Sequence, residues 1–254
     1  MQVESNWFRV LKRERDPKVR LVCFPHAGGS ASFFHSWSPL VPDEVELTAI
    51  RYPGREERIL DQFAKSMREI VDPVVRALEA FEDCPMVLLG HSMGASVAHE
   101  VALGLHGKRV DLRGLVVSGR SAPSHQTNRN TGALSDSELM QELSEFGGTD
   151  SRAFESAELR ELFLPPVRAD YEILDSYNPT AGQGLEIPIS AYYGNLDTHL
   201  DSESVAAWGA ATKSAFNVRV FSGGHFYITE HVEEILDDVF THRFPLPELS
   251  AVRT

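Results

Sequence analysis

A serine hydroxyl is a weak nucleophile unless a tight turn lifts it clear of the backbone and a base removes its proton. The pentapeptide Gly90-His91-Ser92-Met93-Gly94 meets the first condition, because it stands between the apolar run MVLLG and an amphipathic stretch from Ala95 to Arg109. Its two glycines leave room where a strand would enter a helix, with Ser92 at the apex. A serine capping a helix is the plain alternative. The strand, turn and helix context favours the nucleophile. The base is then expected on a loop at the same sheet edge: Gly223-Gly224-His225 follows NVRVF, and its glycines allow the sharp turn that brings the His225 imidazole to Ser92. Asp197 follows ISAYY through Gly194-Asn195-Leu196 and is the expected orienting acid. Asp201 competes for that role but opens the next helix, where a carboxylate commonly serves as an N-cap. The preceding strand end, SGRSA, offers no acid.

An acyl-transfer site also needs donors for a developing oxyanion. After LVCFP comes His26-Ala27-Gly28-Gly29, whose small residues leave backbone N–H groups unobstructed. Met93 N–H is expected to be one donor and Ala27 N–H the other, with Gly28 as the nearby alternative. The remaining histidines lack both the strand-end position and the chain order of a base, and are read as packing or surface residues, although His26 adjoins the oxyanion loop. PHAGG lacks the G-x-x-x-x-G-K-S/T pattern of a nucleotide phosphate loop, and no His or carboxylate spacing resembles a metal site.

These residues need a frame that brings distant loops to one edge. Apolar strand candidates run over Val19–Phe24, Val45–Tyr52, Met86–Gly90, Leu112–Ser118, Ile189–Tyr193 and Asn217–Phe221. Helical patterns cover Phe63–Phe81, Ser92–His106, Ser202–Ser214 and Tyr227–Phe240, and Trp7–Leu11 suits an outer, antiparallel strand. The alternation predicts an α/β fold with a mainly parallel central sheet flanked by helices. The order Ser92, Asp197, His225 is that of α/β-hydrolases. Strand signals stop over approximately 121–185. There a polar stretch leads into helical patterns at Asp136–Phe146 and Ser156–Tyr177, read as a helical lid insertion in a single domain spanning 1–254.

With 24 basic and 37 acidic residues the formal net charge is −13, which argues against a nucleic-acid groove. The sequence shows neither an apolar run of membrane-spanning length nor an N-terminal signal pattern, so a cytoplasmic enzyme without membrane contact is expected. The two cysteines, Cys23 and Cys84, form no cluster and are read as reduced thiols, Cys23 buried in its apolar run.

Taken in order, LVCFPHAGGSASFF, AIRYPGREER, LLGHSMGASVAHE, ELFLPPVRADYEILDSY, YGNLD and FSGGHFYI resemble the type II thioesterases that accompany polyketide and nonribosomal peptide synthases. The resemblance extends from about Val19 to Phe240. It implies hydrolysis of stalled or misprimed acyl groups held as thioesters on the phosphopantetheine arm of acyl or peptidyl carrier proteins, met transiently. It also implies a Ser92 acyl-enzyme, with His225 moving protons, Asp197 orienting it, and the Ala27 and Met93 amides holding the oxyanion. No cofactor beyond the substrate's own arm is expected, and a monomer is. An acyltransferase or oxyester hydrolase using the same triad is the alternative, and a non-catalytic carrier-binding scaffold a more distant one. Within the insertion, Leu159, Leu162, Phe163, Leu164, Val167, Tyr171 and Leu174 form a stripe suited to an acyl chamber or to lid packing. Arg51, Arg55 and Arg58 form a basic run that either docks an acidic carrier or lies solvated beside Glu56 and Glu57.

Overall fold

A computed structural model describes residues 6–81, 84–127, 129–147, 157–180 and 184–246. Seven strands form one sheet: β1 (Phe8–Lys12), β2 (Val19–Phe24), β3 (Val45–Ile50), β4 (Met86–His91), β5 (Leu112–Ser118), β6 (Ile189–Gly194) and β7 (Phe216–Phe221). Their spatial order is β1-β3-β2-β4-β5-β6-β7, with every neighbouring pair parallel except the β1–β3 edge. This is the predicted architecture, including the antiparallel outer strand.

The continuous apolar runs follow from burial on both faces. Val22 and Phe24 of β2 and Leu88 of β4 point to one core, shared with α1 (Met67–Leu78) and α2 (Met93–Gly104). Their neighbours Leu21, Cys23, Val87 and Leu89 point to the other. There they meet the 3₁₀ turn Ala31–Trp37 and the C-terminal helical segment, which contains α6 (Val232–Asp237). The period of two thus divides each strand between two cores.

Helices are shorter than their apolar patterns. α1 starts at Met67 because Ser66 caps it, its side chain accepting from Glu69 N–H; upstream, Phe63 leaves the pattern to pack against Gly54. The Ser202–Ser214 pattern divides into α5 (Ser202–Ala206) and a 3₁₀ turn, Ala207–Ala211. Between β5 and β6 lie α3 (Asp136–Phe146), opened by a Ser135/Glu138 capping box, and α4 (Ala157–Ser176). Leu139 of α3 packs with Leu164 and Val167 of α4 in a small third core. Beyond α4, buried Glu100 of α2 accepts hydrogen bonds from Tyr177 Oη at 2.6 Å, Thr180 N at 2.9 Å and Thr180 Oγ1 at 2.6 Å, which fastens this stretch to the sheet layers.

The chain runs from β2 to β3 on one side, then crosses back to β4 on the other. The carboxyl ends of β2 and β4 therefore flank the point where strand order reverses, the position at which open α/β sheets form a crevice.

Candidate active site

Ser92 follows β4 directly, with φ 55° and ψ −119°, a backbone conformation that costs a non-glycine residue on the order of 1–3 kcal/mol. The surroundings enforce it. Ser92 N–H donates to Ser118 O at 2.8 Å, and Ala95 N–H donates to Ser92 O at 3.0 Å as α2 begins. A Cβ on Gly90 would collide with the backbone of Gly94 and Ala95, and one on Gly94 with the backbone of Phe24 and Pro25. The two glycines flanking the turn are thus needed because main chain meets main chain on both sides.

Asp197 and His225 come from the loops after β6 and β7. Their side chains meet at 2.6 Å between Asp197 Oδ2 and His225 Nδ1, and both are buried. The second carboxylate oxygen accepts the His199 amide at 3.0 Å. Burial pushes the Asp197 carboxyl up, but the His225 hydrogen bond and charge, followed by the His199 amide, outweigh it and hold the group below its ordinary value. Asp197 is thus an anion aimed at one ring nitrogen, which assigns the other, Nε2, the acceptor role while the ring is neutral. Asp201 is occupied elsewhere: it caps α5, accepting from Ser204 N–H at 2.7 Å.

Ser92 and His225 both line two adjoining cavities. The larger, about 380 Å³, is walled by the His26–Ser30 loop, by Phe33 and Phe226, by Leu143 and Phe146 of α3, and by Phe163, Leu164, Val167 and Tyr171 of α4. The smaller, about 100 Å³, has Arg120, Gln126, Arg129 and Glu142 among its walls, shares Tyr171 with the first and adds Leu174. Five of the seven stripe residues therefore face a cavity. Leu159 and Leu162 do not: both are exposed on α4 and line neither, because a stripe read from periodicity continues past the end of the chamber. Phe146 and Leu143 were not singled out in the sequence. Their signal was the apolar face of α3, recognisable as helix but not as cavity wall.

The oxyanion loop is a tight turn closed by Gly29 N–H to His26 O at 2.9 Å, with Gly28 at φ 74°. Gly28 N–H donates to Asp170 Oδ2 of α4 at 2.7 Å, which removes it as an oxyanion donor. Among the described residues, no hydrogen bond engages the amides of Ala27 or Met93. Both N–H groups are thus uncommitted, whereas that of Gly28 is taken.

Within the basic run, Arg55 fits neither expected role, dock or solvated loop. Arg55 is buried; its guanidinium grips Asp170 at 2.7 and 2.9 Å and donates to Gly29 O at 3.0 Å, so it is not available to a docking protein. Arg58 lies over the Trp7 ring at 4.3 Å and donates to Asp61 at 2.7 Å and to Arg51 O at 2.9 Å; Arg51 itself is half-buried. Arg55 alone of the three is internal, because its partner, Asp170, lies on a helix far along the chain. The available signal was an acidic residue on the buried stripe of α4, one turn beyond Val167.

Two further histidines, His91 and His26, stand beside His225. His91 is buried, with its Nδ1 2.9 Å from Ser118 Oγ, which in turn lies 2.6 Å from Tyr227 Oη. Burial first, then the neighbouring His225 and His26, hold the His91 pKa well below its usual value. His26 stands edge-on to Phe33 and Phe226 and is brought down to about 3, by burial first and then by His225 and Arg55. No group of His, Cys, Asp or Glu among the described residues could hold a metal ion. Both cysteines are buried, and neither forms a disulfide. No helix among the described residues is long and apolar enough to cross a membrane.

Comparison with known proteins places these features in context. Residues 19–242 match the family model described as the thioesterase domain. Thioesterase PikA5 of Streptomyces venezuelae is 38% identical over 247 residues, covering 95% of this chain and 87% of that protein. Gramicidin S biosynthesis protein GrsT of Aneurinibacillus migulanus is 34% identical over 235 residues, covering 92% of each. Among solved structures, BorB, a type II thioesterase from the borrelidin biosynthetic cluster, superimposes with a TM-score of 0.87 at 34% identity, covering 95% of this chain and 99% of its own.

Proposed function

The chain belongs to the thioesterase family, and from that premise we propose that it is an editing, type II thioesterase, which clears acyl groups from carrier proteins of a polyketide or nonribosomal peptide assembly line. The observation that carries the reading is Ser92, held at positive φ at the crevice and lining the same cavity as a histidine whose far nitrogen is bonded to a buried carboxylate.

The arrangement supports an acyl-enzyme reaction. His225 Nε2 takes the proton of Ser92 Oγ as the oxygen attacks the thioester carbonyl. Asp197, fixed on Nδ1, sets the ring's tautomer and stabilises the imidazolium that forms. The carbonyl oxygen becomes an oxyanion held by the Ala27 and Met93 amides, and each such donor contributes roughly 3–4 kcal/mol in a well-studied serine hydrolase. The thiolate leaves with the proton from His225. Water, deprotonated by the same ring, then releases the carboxylic acid and restores Ser92. The apolar cavity, about 380 Å³, receives the acyl chain, and α3 and α4 act as a lid over it within one domain. The phosphopantetheine arm reaches Ser92 during a transient encounter with a carrier protein in the cytoplasm. The enzyme works as a monomer without metal or further cofactor.

The test is hydrolysis of a panel of acyl groups, each on one carrier protein and on a small thiol. Carrier-bound acyl groups should turn over with the higher kcat/KM, and Ser92→Ala should abolish turnover while remaining folded. Near-normal hydrolysis by folded Ser92→Ala would remove the nucleophile assignment. Equal efficiency on both thiols would remove the carrier-specific part.

A further inference from the structure

The tie between α4 and the oxyanion turn has no role in the chemistry described so far. In the four-residue turn His26–Gly29, the amide of Gly28 and the carbonyl of Gly29 are both held from outside. Asp170 Oδ2 accepts Gly28 N–H at 2.7 Å, and Arg55, bonded to both Asp170 oxygens, donates to Gly29 O at 3.0 Å. Asp170 and Arg55 are both buried, so the contact is neither frayed nor solvent-screened. Val167, one helical turn before Asp170, packs so closely over Gly28 that a side chain there would overlap it.

We propose that Asp170 and Arg55 form a positioning pair for the oxyanion site. Asp170 engages the Gly28 amide and fixes the peptide planes of the turn, and the Ala27 amide is thereby left uncommitted at the height needed by the tetrahedral intermediate. Arg55 has a second task. A bare carboxylate accepting from the residue beside an oxyanion donor would oppose the negative charge that develops there, and the bidentate guanidinium cancels it. Because Asp170 belongs to α4, the helical insertion is part of the catalytic apparatus and not only a cover for it. The inference rests on the reading of Ser92 as nucleophile and Ala27 as donor.

Two full-length variants separate the tasks. Arg55→Met leaves the carboxylate uncompensated, whereas Arg55→Met with Asp170→Leu removes the pair and substitutes apolar volume, a replacement that buried ion pairs often tolerate. Each is assayed for melting temperature, for kcat and KM on an acyl-pantetheine thioester, and for affinity toward a trifluoromethyl ketone analogue, whose adduct with Ser92 carries an oxyanion. The double variant should stay folded, keep KM within about two-fold, and lose about ten-fold in kcat and in ketone affinity alike. Arg55→Met should lose about 10²-fold in both, comparable to loss of one oxyanion donor. A folded double variant with unchanged kcat and ketone affinity overturns the proposal, as does a loss confined to KM. In the unmodified protein, the Gly28 amide should exchange its hydrogen far more slowly than that of Ala27; equal rates would also overturn it, whatever the variants' fold. Thioester turnover and ketone binding that disappear in Ser92→Ala establish the underlying reading separately.

Discussion

Gly94→Ala is the sharpest probe of how the nucleophile turn is built. The added Cβ would lie 2.6 Å from Pro25 O and closer still to Phe24 O, both main-chain atoms that no rotamer change can move aside. To reach the 3.0 Å that real Cβ atoms respect, the first turn of α2 must retreat from the end of β2 by about 1 Å. That motion separates the two proposed oxyanion donors, because Met93 precedes Gly94 on one side of the gap and Ala27 follows Pro25 on the other. A misplacement of about 1 Å in a reacting constellation costs about 10²-fold, equivalent to about 2.7 kcal/mol of transition-state stabilisation. Overpacking should cost about 1–3 kcal/mol of stability in addition. The assay is release of free thiol from an acyl-pantetheine thioester, read as kcat and KM, beside a thermal melt. The expected result is a folded protein with kcat reduced about 10²-fold and KM little changed. Full kcat in folded Gly94→Ala would refute the argument that contact between β2 and α2 sets the oxyanion geometry.

Other perturbations test separate parts of the site. Asp197→Asn should reduce kcat by about 10⁴-fold, whereas Asp201→Ala should retain activity and lose about 1 kcal/mol of stability with its cap; the reverse pattern in paired kinetics and melts would move the acid to Asp201. Exposed Phe163 and buried Leu164 both line the acyl cavity. Phe163→Ala should therefore shift turnover toward bulkier acyl groups with little change in melting temperature, whereas Leu164→Ala should cost about 2 kcal/mol or more; identical stability losses would contradict the burial difference. His26, whose pKa falls from 6.5 to about 3 on folding, binds its proton more readily in the unfolded chain. Its contribution to stability is complete above about pH 6.5 and is lost as pH falls toward 3, so a His26→Gln variant should show a flatter melting profile across that window; a profile as steep as the parent's would count against a ring that folding keeps neutral.

The parts legible in sequence were those encoded locally. Each strand is an apolar run bounded by turn residues, and Ser92, Asp197 and His225 each sit just past one, so chain order alone brought them to one edge. What was not legible depends on pairing across distance. Arg55 and Asp170 bond across 115 positions, and nothing near Arg55 distinguishes a buried cation from the charged surface run that Glu56, Glu57 and Arg58 suggest. The α4 stripe shows the same limit: periodicity marks which face is apolar, but only the cavity's extent separates Phe163, Leu164, Val167 and Tyr171 from exposed Leu159 and Leu162. Helix ends were displaced where a cap or a distant contact, such as Ser66 or Phe63 on Gly54, stopped a pattern that composition would have continued.

The hydrogen bond from Gly28 to Asp170 spans 142 positions, and this has a consequence for a chain made from its N-terminus. A nascent chain exposing β1 to β5 can already pair the strands on either side of Ser92. It contains no Asp197 or His225, and its oxyanion turn has not yet met α4. Asp197 and His225 therefore join the site only once the loops after β6 and β7 have been made, and they meet a turn that α4 has already set. A polypeptide that stops before β6 carries Ser92 without either partner, so ribosome-bound fragments of that length should not discharge acyl groups from an assembly line at work beside them.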